Sequence, residues 1–280
     1  MMKSSGAQRI ADYFMFIALI VLAVIWILPV YLILINTFKN YGEMMSNLFK
    51  LPVNFSLKYY IETWVYFKFV FLFKNTLIYT VFTVVVVVIV TSLAAYKLAR
   101  VNTRYSRLIM LYFILPMMIP FHSYMITLVK FARTLYMTGN IYGLIIIYCG
   151  LFAPLAVFLY TNFIRTIPVE IDECAKIDGA SGFGIYYYLI FPILKPITIT
   201  IIVIDALAAW NDFFVLLIVL GSQQKYINIQ NALYIRFSAQ SSDWEHALPG
   251  IVIASIPALI FFIFMQKHIM AGAVSGSIKS

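Results

Sequence analysis

The stretch Glu173–Pro196, ECAKIDGASGFGIYYYLIFPILKP, is a polar segment punctuated by glycines, and long apolar runs lie on both sides of it. Just upstream, Pro168 suits the first turn of a helix, because the N–H that proline lacks would be unpaired there. Three carboxylates follow in the early turns, where the helix dipole favours negative charge: Glu170, Asp172 and Glu173. These residues predict a short acidic helix.

The signals of a tight turn follow this helix. Gly179 comes directly after Asp178 and can adopt a positive φ, as the residue that terminates a helix often does. The Ser181 hydroxyl can cap the start of the next helix. The sequence therefore predicts a helix, a turn and a second helix that runs into Pro192 and the following apolar run.

A short helix of this kind, lying across a membrane surface, can fit a groove on a partner protein as a rigid lever. Gly179 provides a close turn, Ala175 and Ala180 have small side chains for contact, and Glu173 can pair with a basic group. An ordinary amphipathic connector would have many of the same residues, because Asp-Gly turns are common. The whole pattern, with its spacing to Pro192, favours the partner-binding interpretation.

The composition of the chain indicates a membrane protein. Of its 280 residues, 63% are hydrophobic and only 11% are charged, whereas a soluble domain has about 25% charged residues. The net charge of +9 is explained by cationic loops that flank membrane spans, so we expect no nucleic-acid partner. Cys149 lies in an apolar run and Cys174 in the polar segment, so we expect neither a disulfide nor a metal site.

Apolar runs of about 20 residues are long enough to cross a bilayer as helices. The sequence predicts an all-α membrane protein with a single membrane domain over residues 1–280 and six spans, at about 13–36, 75–98, 108–129, 142–163, 193–220 and 249–265. Pro116 and Pro120 lie one helical turn apart in the third span, so that helix is expected to be bent or locally unwound.

The distribution of cations bears on the orientation of the spans. Lysines and arginines are divided almost evenly between the two sides, but a short cluster predicts a cytoplasmic loop between the second and third spans: Lys97, Arg100, Arg104 and Arg107. Both termini are then cytoplasmic. The segments Phe38–Lys74 and Gly221–Leu248 are too polar to span, and we expect them to form ordered caps on the outer face.

The polar segment resembles the EAA loop of bacterial ABC-importer permeases. The family pattern is Glu-Ala-Ala, three residues, Gly, nine residues, and Ile-x-Leu-Pro, and the corresponding residues here are Glu173, Cys174, Ala175, Gly179, Leu189, Phe191 and Pro192. Cys174, Leu189 and Phe191 depart from the pattern but keep size or apolar character. The resemblance implies a type I ABC-importer fold, and a coupling loop at residues 166–192 that contacts an ATPase through Glu173, Ala175, Asp178, Gly179, Ala180, Ser181 and Pro192.

Further resemblances narrow the family to the carbohydrate permeases of the maltose G type. They are Asp178–Ser181, Pro52 with Phe55–Leu57 and Tyr59–Tyr60, Asn140 with Gly143–Leu144, Trp210–Asp212, and the tail Gly272–Gly276. Ile141 stands where the family usually has Thr, and Ser275 where it usually has Lys.

The resemblance also implies an assembly in the bacterial cytoplasmic membrane. Its other members would be a homologous but different permease, two ATPase subunits that hold ATP and Mg, and an extracellular binding protein that delivers a sugar or oligosaccharide. The chain itself would be a transport subunit, not an enzyme, and would hold no cofactor. In relatives, the outer loop before the last span enters the binding protein, and the candidate residues here are Gln223, Gln224, Asn228, Gln230 and Asn231.

Polar groups within the fifth span are candidates for the translocation path. Asp205 and Asp212 are two helical turns apart and would share a face, and acids within a membrane are functional candidates. Asn211 adds an amide, and Trp210 has a ring that can stack on a sugar. Helix–helix pairing, capping and packing are equally compatible with these residues, which are Asp205, Trp210, Asn211 and Asp212.

Three other functions are compatible with parts of the sequence. An ABC permease for a non-sugar solute would share the EAA loop but not the tail and outer-loop resemblances. An ion-coupled secondary transporter could use Asp205 and Asp212, but it would work without an ATPase and would usually have inverted repeats. A membrane-embedded enzyme would need converging catalytic groups, whereas His122, His246 and His268 are scattered along the sequence.

Overall fold

The structure is a computed structural model, which describes residues 6–221, 223–239 and 243–277, and the side chains of 12–221, 223–235 and 243–266. None of these described residues forms a β-strand. The α-helices are α1 Gly6–Asn36, α2 Tyr41–Ser46, α3 Lys58–Tyr66, α4 Phe69–Arg100, α5 Arg104–Ile114, α6 Phe121–Thr134, α7 Ile141–Arg165, α8 Glu170–Ile177, α9 Gly182–Gly184, α10 Phe191–Ile193, α11 Lys195–Asn211, α12 Phe214–Leu220, α13 Ile229–Ala239 and α14 Trp244–Ser277. Leu115–Met118 and Gln224–Tyr226 are 3₁₀ helices, and Ile185–Ile190 is a π-helix.

The long helices confirm the predicted all-α membrane architecture. Within the described residues, four continuous helices are long and apolar enough to span a membrane: Asp12–Asn36, Phe69–Arg100, Ile141–Arg165 and Trp244–Gln266. Two further spans are bent pairs, Arg104–Met118 with Phe121–Thr134 and Gly182–Ile193 with Lys195–Asn211. Counting each bent pair as one span gives the six spans that the sequence predicts. The side chains of the tail Gly272–Gly276 are outside the described residues.

The third span is bent where its prolines lie, as the sequence predicts. Its two halves meet at 112°. Pro116 lies in the 3₁₀ turn Leu115–Met118, and Pro120 is the residue that precedes α6. Neither proline has an N–H to donate to the preceding turn, so the regular ladder of hydrogen bonds is broken here.

The fifth span differs from the continuous helix predicted over 193–220. It begins earlier, at Gly182, and turns by 75° before Lys195. It also stops at Asn211, because Asp212 adopts extended backbone with φ −69° and ψ 135°. The Asp212 carboxylate accepts a hydrogen bond from the Leu216 N–H at 3.1 Å and so caps α12. The expectation that Asp205 and Asp212 share a helix face is therefore wrong.

The chain divides into two compact units, and the larger comprises residues 70–232 and 256–280. Helix α7 is central to it and packs against α5, α11 and α12. One cluster of buried side chains joins α4, α7, the π-helix and α11, with Tyr160, Ile190 and Leu194 among its fully buried members. A second cluster joins α4, α6, α7 and α12 around Tyr148 and Leu216. The coupling loop therefore rests on the core of this unit.

The smaller unit comprises residues 1–69 and 233–255. Lys39, just after α1, is fully buried. Its ammonium donates to Asn36 Oδ1 and to the Asn47 carbonyl, each at 3.0 Å, which closes the loop around α2. In the same unit, Glu245 Oε1 accepts from the Tyr41 N–H at 2.6 Å. These hydrogen bonds fix the residues just after α1, whereas the end of the predicted cap Phe38–Lys74 is already part of α4, which begins at Phe69.

We expect Gly143→Ala to destabilise the larger unit, because a Cβ at this position would lie 1.8 Å from the Met137 carbonyl oxygen. That clash is with backbone, so we predict a loss of about 3 kcal/mol in the free energy of unfolding. Thermal unfolding of the detergent-purified protein measures it. The matched control is Gly150→Ala in the same helix, where nothing lies within 4 Å of the added carbon. Equal unfolding midpoints for the two variants would contradict the prediction.

Candidate functional site

Helix α8 forms the first half of the coupling loop. It begins at Glu170, two residues after Pro168, and has Glu170, Asp172 and Glu173 in its first turn. These carboxylates lie where the exposed N–H groups of a helix start favour negative charge. The short acidic helix predicted from the sequence is therefore present.

The turn after α8 is a Schellman motif. The Gly179 N–H donates to the Lys176 carbonyl at 3.0 Å, and the Ala180 N–H donates to the Ala175 carbonyl at 2.9 Å. Gly179 has a φ of 83°, as the motif requires. Ser181 Oγ then accepts from the Gly184 N–H at 3.1 Å and caps the following helix. Both local predictions, the positive φ and the serine cap, are confirmed.

Asp172 anchors α8 to the rest of the unit. Its side chain is almost fully buried and forms an ion pair with Arg100 at the end of α4. The Tyr96 hydroxyl donates to the second carboxylate oxygen at 2.9 Å. Arg100 also donates to the Ile167 carbonyl at 3.0 Å, just before α8. Burying an ionised carboxylate is costly without such partners, so these contacts stabilise the position of the helix.

The predicted ATPase-contact residues differ in exposure and in position. Glu173 and the turn residues Asp178, Gly179, Ala180 and Ser181 are exposed and lie together around the end of α8. Ala175 is buried instead, because it packs into the core cluster beneath the helix. Pro192 is exposed but lies in α10, beyond the π-helix.

Two open depressions flank the buried side of α8. One, of about 390 Å³, is lined by Glu170, Ile171, Cys174, Ala175, Asp178 and Leu189. The other, of about 430 Å³, is lined by Ala175, Asp178, Ala180, Ser181, Gly184, Ile185, Tyr188 and Leu189. The two depressions share Ala175, Asp178 and Leu189, so they adjoin each other on the side of α8 that faces the π-helix.

The polar residues of the fifth span have mainly structural contacts. The Asp212 carboxylate accepts from the Tyr148 hydroxyl at 2.7 Å as well as capping α12. Asn211 is exposed, and its amide donates to the Leu207 carbonyl at 2.9 Å. Asp205 is buried within the larger unit, and its Oδ2 has no hydrogen-bond partner among the described residues.

Trp210 is buried and meets Phe73 edge-on, with ring centroids 5.7 Å apart. It lines a cavity of about 740 Å³ between α4, α11 and α14, in which the Thr80 hydroxyl and the Trp210 indole N–H are the only polar side-chain groups among the described lining residues. A sugar requires several hydrogen-bonding groups, so this cavity does not have the chemistry of a sugar site. Of the four candidate residues for the path, Asn211 is the exposed one.

The candidate binding-protein residues also separate by burial. Gln223 and Gln224 are exposed, and Gln230 is half-buried. Asn228 and Asn231 are each only 1% exposed. Asn228 donates to the Asp212 carbonyl at 3.1 Å and accepts from the Asn231 N–H at 2.8 Å, so it caps α13 and ties it to the break in the fifth span.

The sequence interpretation missed the residues that hold α8 in place. From the sequence, Asp172 is expected to interact with the helix dipole and Arg100 to be a cytoplasmic cation, and no role is predicted for Tyr96. One sequence signal could have indicated them. Tyr96 and Arg100 are four residues apart at the end of a predicted span, so they form a polar stripe on one helix face. Their common partner, however, is more than 70 positions further along the chain.

Comparison with known proteins gives consistent matches over most of the chain. A family model described as "Binding-protein-dependent transport system inner membrane component" matches residues 87–272. A "Probable starch degradation products transport system permease protein AmyC" from Thermoanaerobacterium thermosulfurigenes is 36% identical over 261 residues, which are 93% of this chain and 94% of that protein. The "Melibiose/raffinose/stachyose import permease protein MelC" of Bacillus subtilis is 33% identical and covers 90% of this chain and 91% of its own.

A solved structure has the same fold. It is described as the crystal structure of a bacterial ABC transporter involved in the import of the acidic polysaccharide alginate, and the matching chain superposes with a TM-score of 0.78. The match covers 95% of this chain and 99% of that chain at 23% identity. At this identity the likeness concerns the fold, and it confirms the fold class predicted from the sequence.

We expect Asp172→Asn to destabilise the protein strongly, because it leaves the buried Arg100 guanidinium without its counter-charge. Removing one partner of a buried ion pair typically costs about 3–5 kcal/mol. The matched control is Glu173→Gln, which neutralises the next residue of α8, an exposed one, and should change stability by less than about 0.5 kcal/mol. Thermal unfolding in detergent compares them. A similar midpoint for both variants would show that the ion pair does not anchor α8.

Proposed function

Because the chain belongs to the family of binding-protein-dependent transport system inner-membrane components, we propose that it is a permease subunit of an ATP-driven importer for a sugar or oligosaccharide. The subunit is a multi-pass membrane protein of an ABC transport system and a transport component, not an enzyme. In this proposal it forms half of the translocation pathway, and a homologous permease forms the other half.

The observation that carries the proposed mechanism is the geometry of the coupling loop. Helix α8 is anchored on its inner side by the buried Asp172 ion pair, while Glu173 and the turn at Gly179 are exposed. A rigid, charged helix of this kind can bind in a groove on an ATPase and move with it. ATP hydrolysis on the two ATPase subunits would then be converted into movement of the spans attached to the loop.

The proposed substrate class is a sugar or oligosaccharide, and the similar permeases support it. Both AmyC and MelC are named for carbohydrate transport, and each matches nine-tenths or more of this chain. A binding protein would deliver the sugar from outside, and the exposed Gln223 and Gln224 are the candidates for contact with it. In this proposal the coupling loop and both termini are cytosolic.

A transport assay distinguishes this function from its alternatives. The chain, co-expressed with its ATPase, second permease and binding protein, is reconstituted into liposomes and supplied with labelled maltotriose or raffinose. We expect uptake of one sugar that requires ATP. Uptake that survives ATP depletion would favour an ion-coupled transporter. ATP hydrolysis stimulated by a non-sugar solute, with neither sugar transported, would favour a permease for a different substrate.

We predict that a cysteine at Ala180 forms a crosslink to the ATPase. Cys149 and Cys174 are first replaced by serine, since both are free thiols. Ala180→Cys is then paired with single cysteines scanned across the surface of the ATPase, and the yield is measured with and without ATP. A crosslink whose yield changes with ATP is expected, because Ala180 lies at the exposed turn. Labelling of position 180 from outside the cell would place the loop on the opposite side and overturn the proposal.

We expect Gly179→Asp to uncouple ATP hydrolysis from transport. The φ of 83° strains any residue with a Cβ, by about 1–2 kcal/mol, and the added carboxylate faces the proposed groove. Gly179→Asn is the matched control, because asparagine tolerates this backbone region better and adds no charge. Sugar uptake and sugar-stimulated ATP hydrolysis are measured for both. Wild-type coupling in Gly179→Asp would show that this turn does not contact the ATPase.

A further inference from the structure

A stripe of polar side chains runs along the end of α4 that faces the coupling loop. Ser92, Tyr96 and Arg100 follow one another at intervals of four residues and therefore lie on one helix face. Within a long apolar helix, polar residues at this spacing need partners. Each of the three finds a partner in residues 164–186, which include the coupling loop as far as the π-helix.

The first contact of the stripe is at the end of α4. Arg100 pairs with Asp172 of α8 and donates to the carbonyls of Ile167 and Ile164, at 3.0 and 3.4 Å. These carbonyls belong to the end of α7 and the residues just after it. Arg100 therefore joins α4, α7 and α8 at one point.

The second contact lies one turn further back along α4. The Tyr96 hydroxyl donates to Asp172 Oδ1 at 2.9 Å, so the carboxylate is held by two residues of the same face. The Tyr96 ring also lies 5.6 Å from the ring of Tyr186, centroid to centroid. Tyr96 therefore contacts α8 and the π-helix at the same time.

The third contact reaches the π-helix itself. Ser92 Oγ and the Tyr186 hydroxyl are 2.7 Å apart, and both side chains are buried. Ser92 also hydrogen-bonds to the Val88 carbonyl, which can only accept, so the serine proton is used there and Tyr186 donates to Ser92. Buried hydrogen bonds in an apolar setting are costly to leave unmade.

The π-helix lies next to a sharp bend in the fifth span. Ile185–Ile190 is π-helical, and the chain then turns by 75° between Ile193 and Lys195. Segments of π-helix are rare and occur frequently at functional sites. The stripe joins α4 to residues that precede this bend. None of its three contacts is with α11, which follows the bend.

From this arrangement we infer that Ser92, Tyr96 and Arg100 are positioning residues, which make α4 move together with the coupling loop when the ATPase displaces it. The angle between α11 and the coupling loop then changes at the bend around Leu194. The inference rests on the proposed function, since it assumes an ATPase that moves α8. Beyond that function, the inference identifies the span that moves first with the loop and the side chains that transmit the movement.

The test removes the Ser92–Tyr186 hydrogen bond from either side. Tyr186→Phe, Ser92→Ala and the double variant are each assembled into the full importer and reconstituted in liposomes. Tyr186→Phe keeps the ring and leaves no buried donor unpaired, because Ser92 still donates to the Val88 carbonyl, whereas Ser92→Ala removes the acceptor of the Tyr186 hydroxyl. Tyr187→Phe is the matched control, because this neighbouring tyrosine is 52% exposed. The readouts are labelled maltotriose or raffinose transported per ATP hydrolysed, and the unfolding midpoint of the complex.

We expect sugar transported per ATP to fall about fivefold in both single variants, the factor that corresponds to the net contribution of one hydrogen bond. The double variant should fall no further, and Tyr187→Phe should match the unaltered chain. A lower unfolding midpoint with unchanged transport per ATP would assign the bond a purely structural role and overturn the inference. An unaltered chain that shows no ATP-dependent uptake of either sugar would overturn the proposed function, and the inference with it.

Discussion

A carboxylate buried inside a membrane protein requires compensating charge and hydrogen bonds, and Asp172 meets this requirement at the end of α4. Its partners are the Arg100 guanidinium and the Tyr96 hydroxyl, and the side chain is only 2% exposed. Breaking such a pair costs several kcal/mol, which is a large part of the stability of most proteins. A helix of eight residues has little stability of its own. This one ion pair therefore gives α8 a fixed position that its own length could not provide.

The position of Asp172 also determines which charges α8 exposes. Because Asp172 faces inward, Glu170 and Glu173 are directed to the opposite side, and both are exposed. The Schellman turn at Gly179 then reverses the chain within a few residues and leaves Ala180 at the surface. The result is a rigid surface feature whose shape depends on the buried side of the helix. In the proposed mechanism, this rigidity would let the loop move as one piece with the ATPase.

Polar residues within the spans of this protein mostly support its backbone. Asp212 caps α12 after the break in the fifth span, and Tyr148 and Asn228 bind Asp212 from neighbouring elements. In the third span, Pro116 and Pro120 break the ladder of hydrogen bonds at a 112° bend. Irregular backbone within a membrane span is stable only when other groups satisfy its N–H and C=O atoms. In the fifth span, Asp212 and Asn211 bond to backbone groups in this way. They are two of the three acids and amides predicted for a translocation path.

The sequence by itself determined the features that depend on neighbouring residues. The length of the apolar runs predicts the spans, the paired prolines predict the bend near residue 118, and Asp178–Ser181 predict the turn and the cap. Each of these features follows from local backbone chemistry. The tertiary structure alone decided which carboxylate of α8 is buried, that Asn228 and Asn231 are internal, and that α11 ends at Asn211. Each of these outcomes depends on a partner far along the chain, such as Arg100 for Asp172. Burial and pairing are set by packing between helices, and a linear pattern does not contain that information.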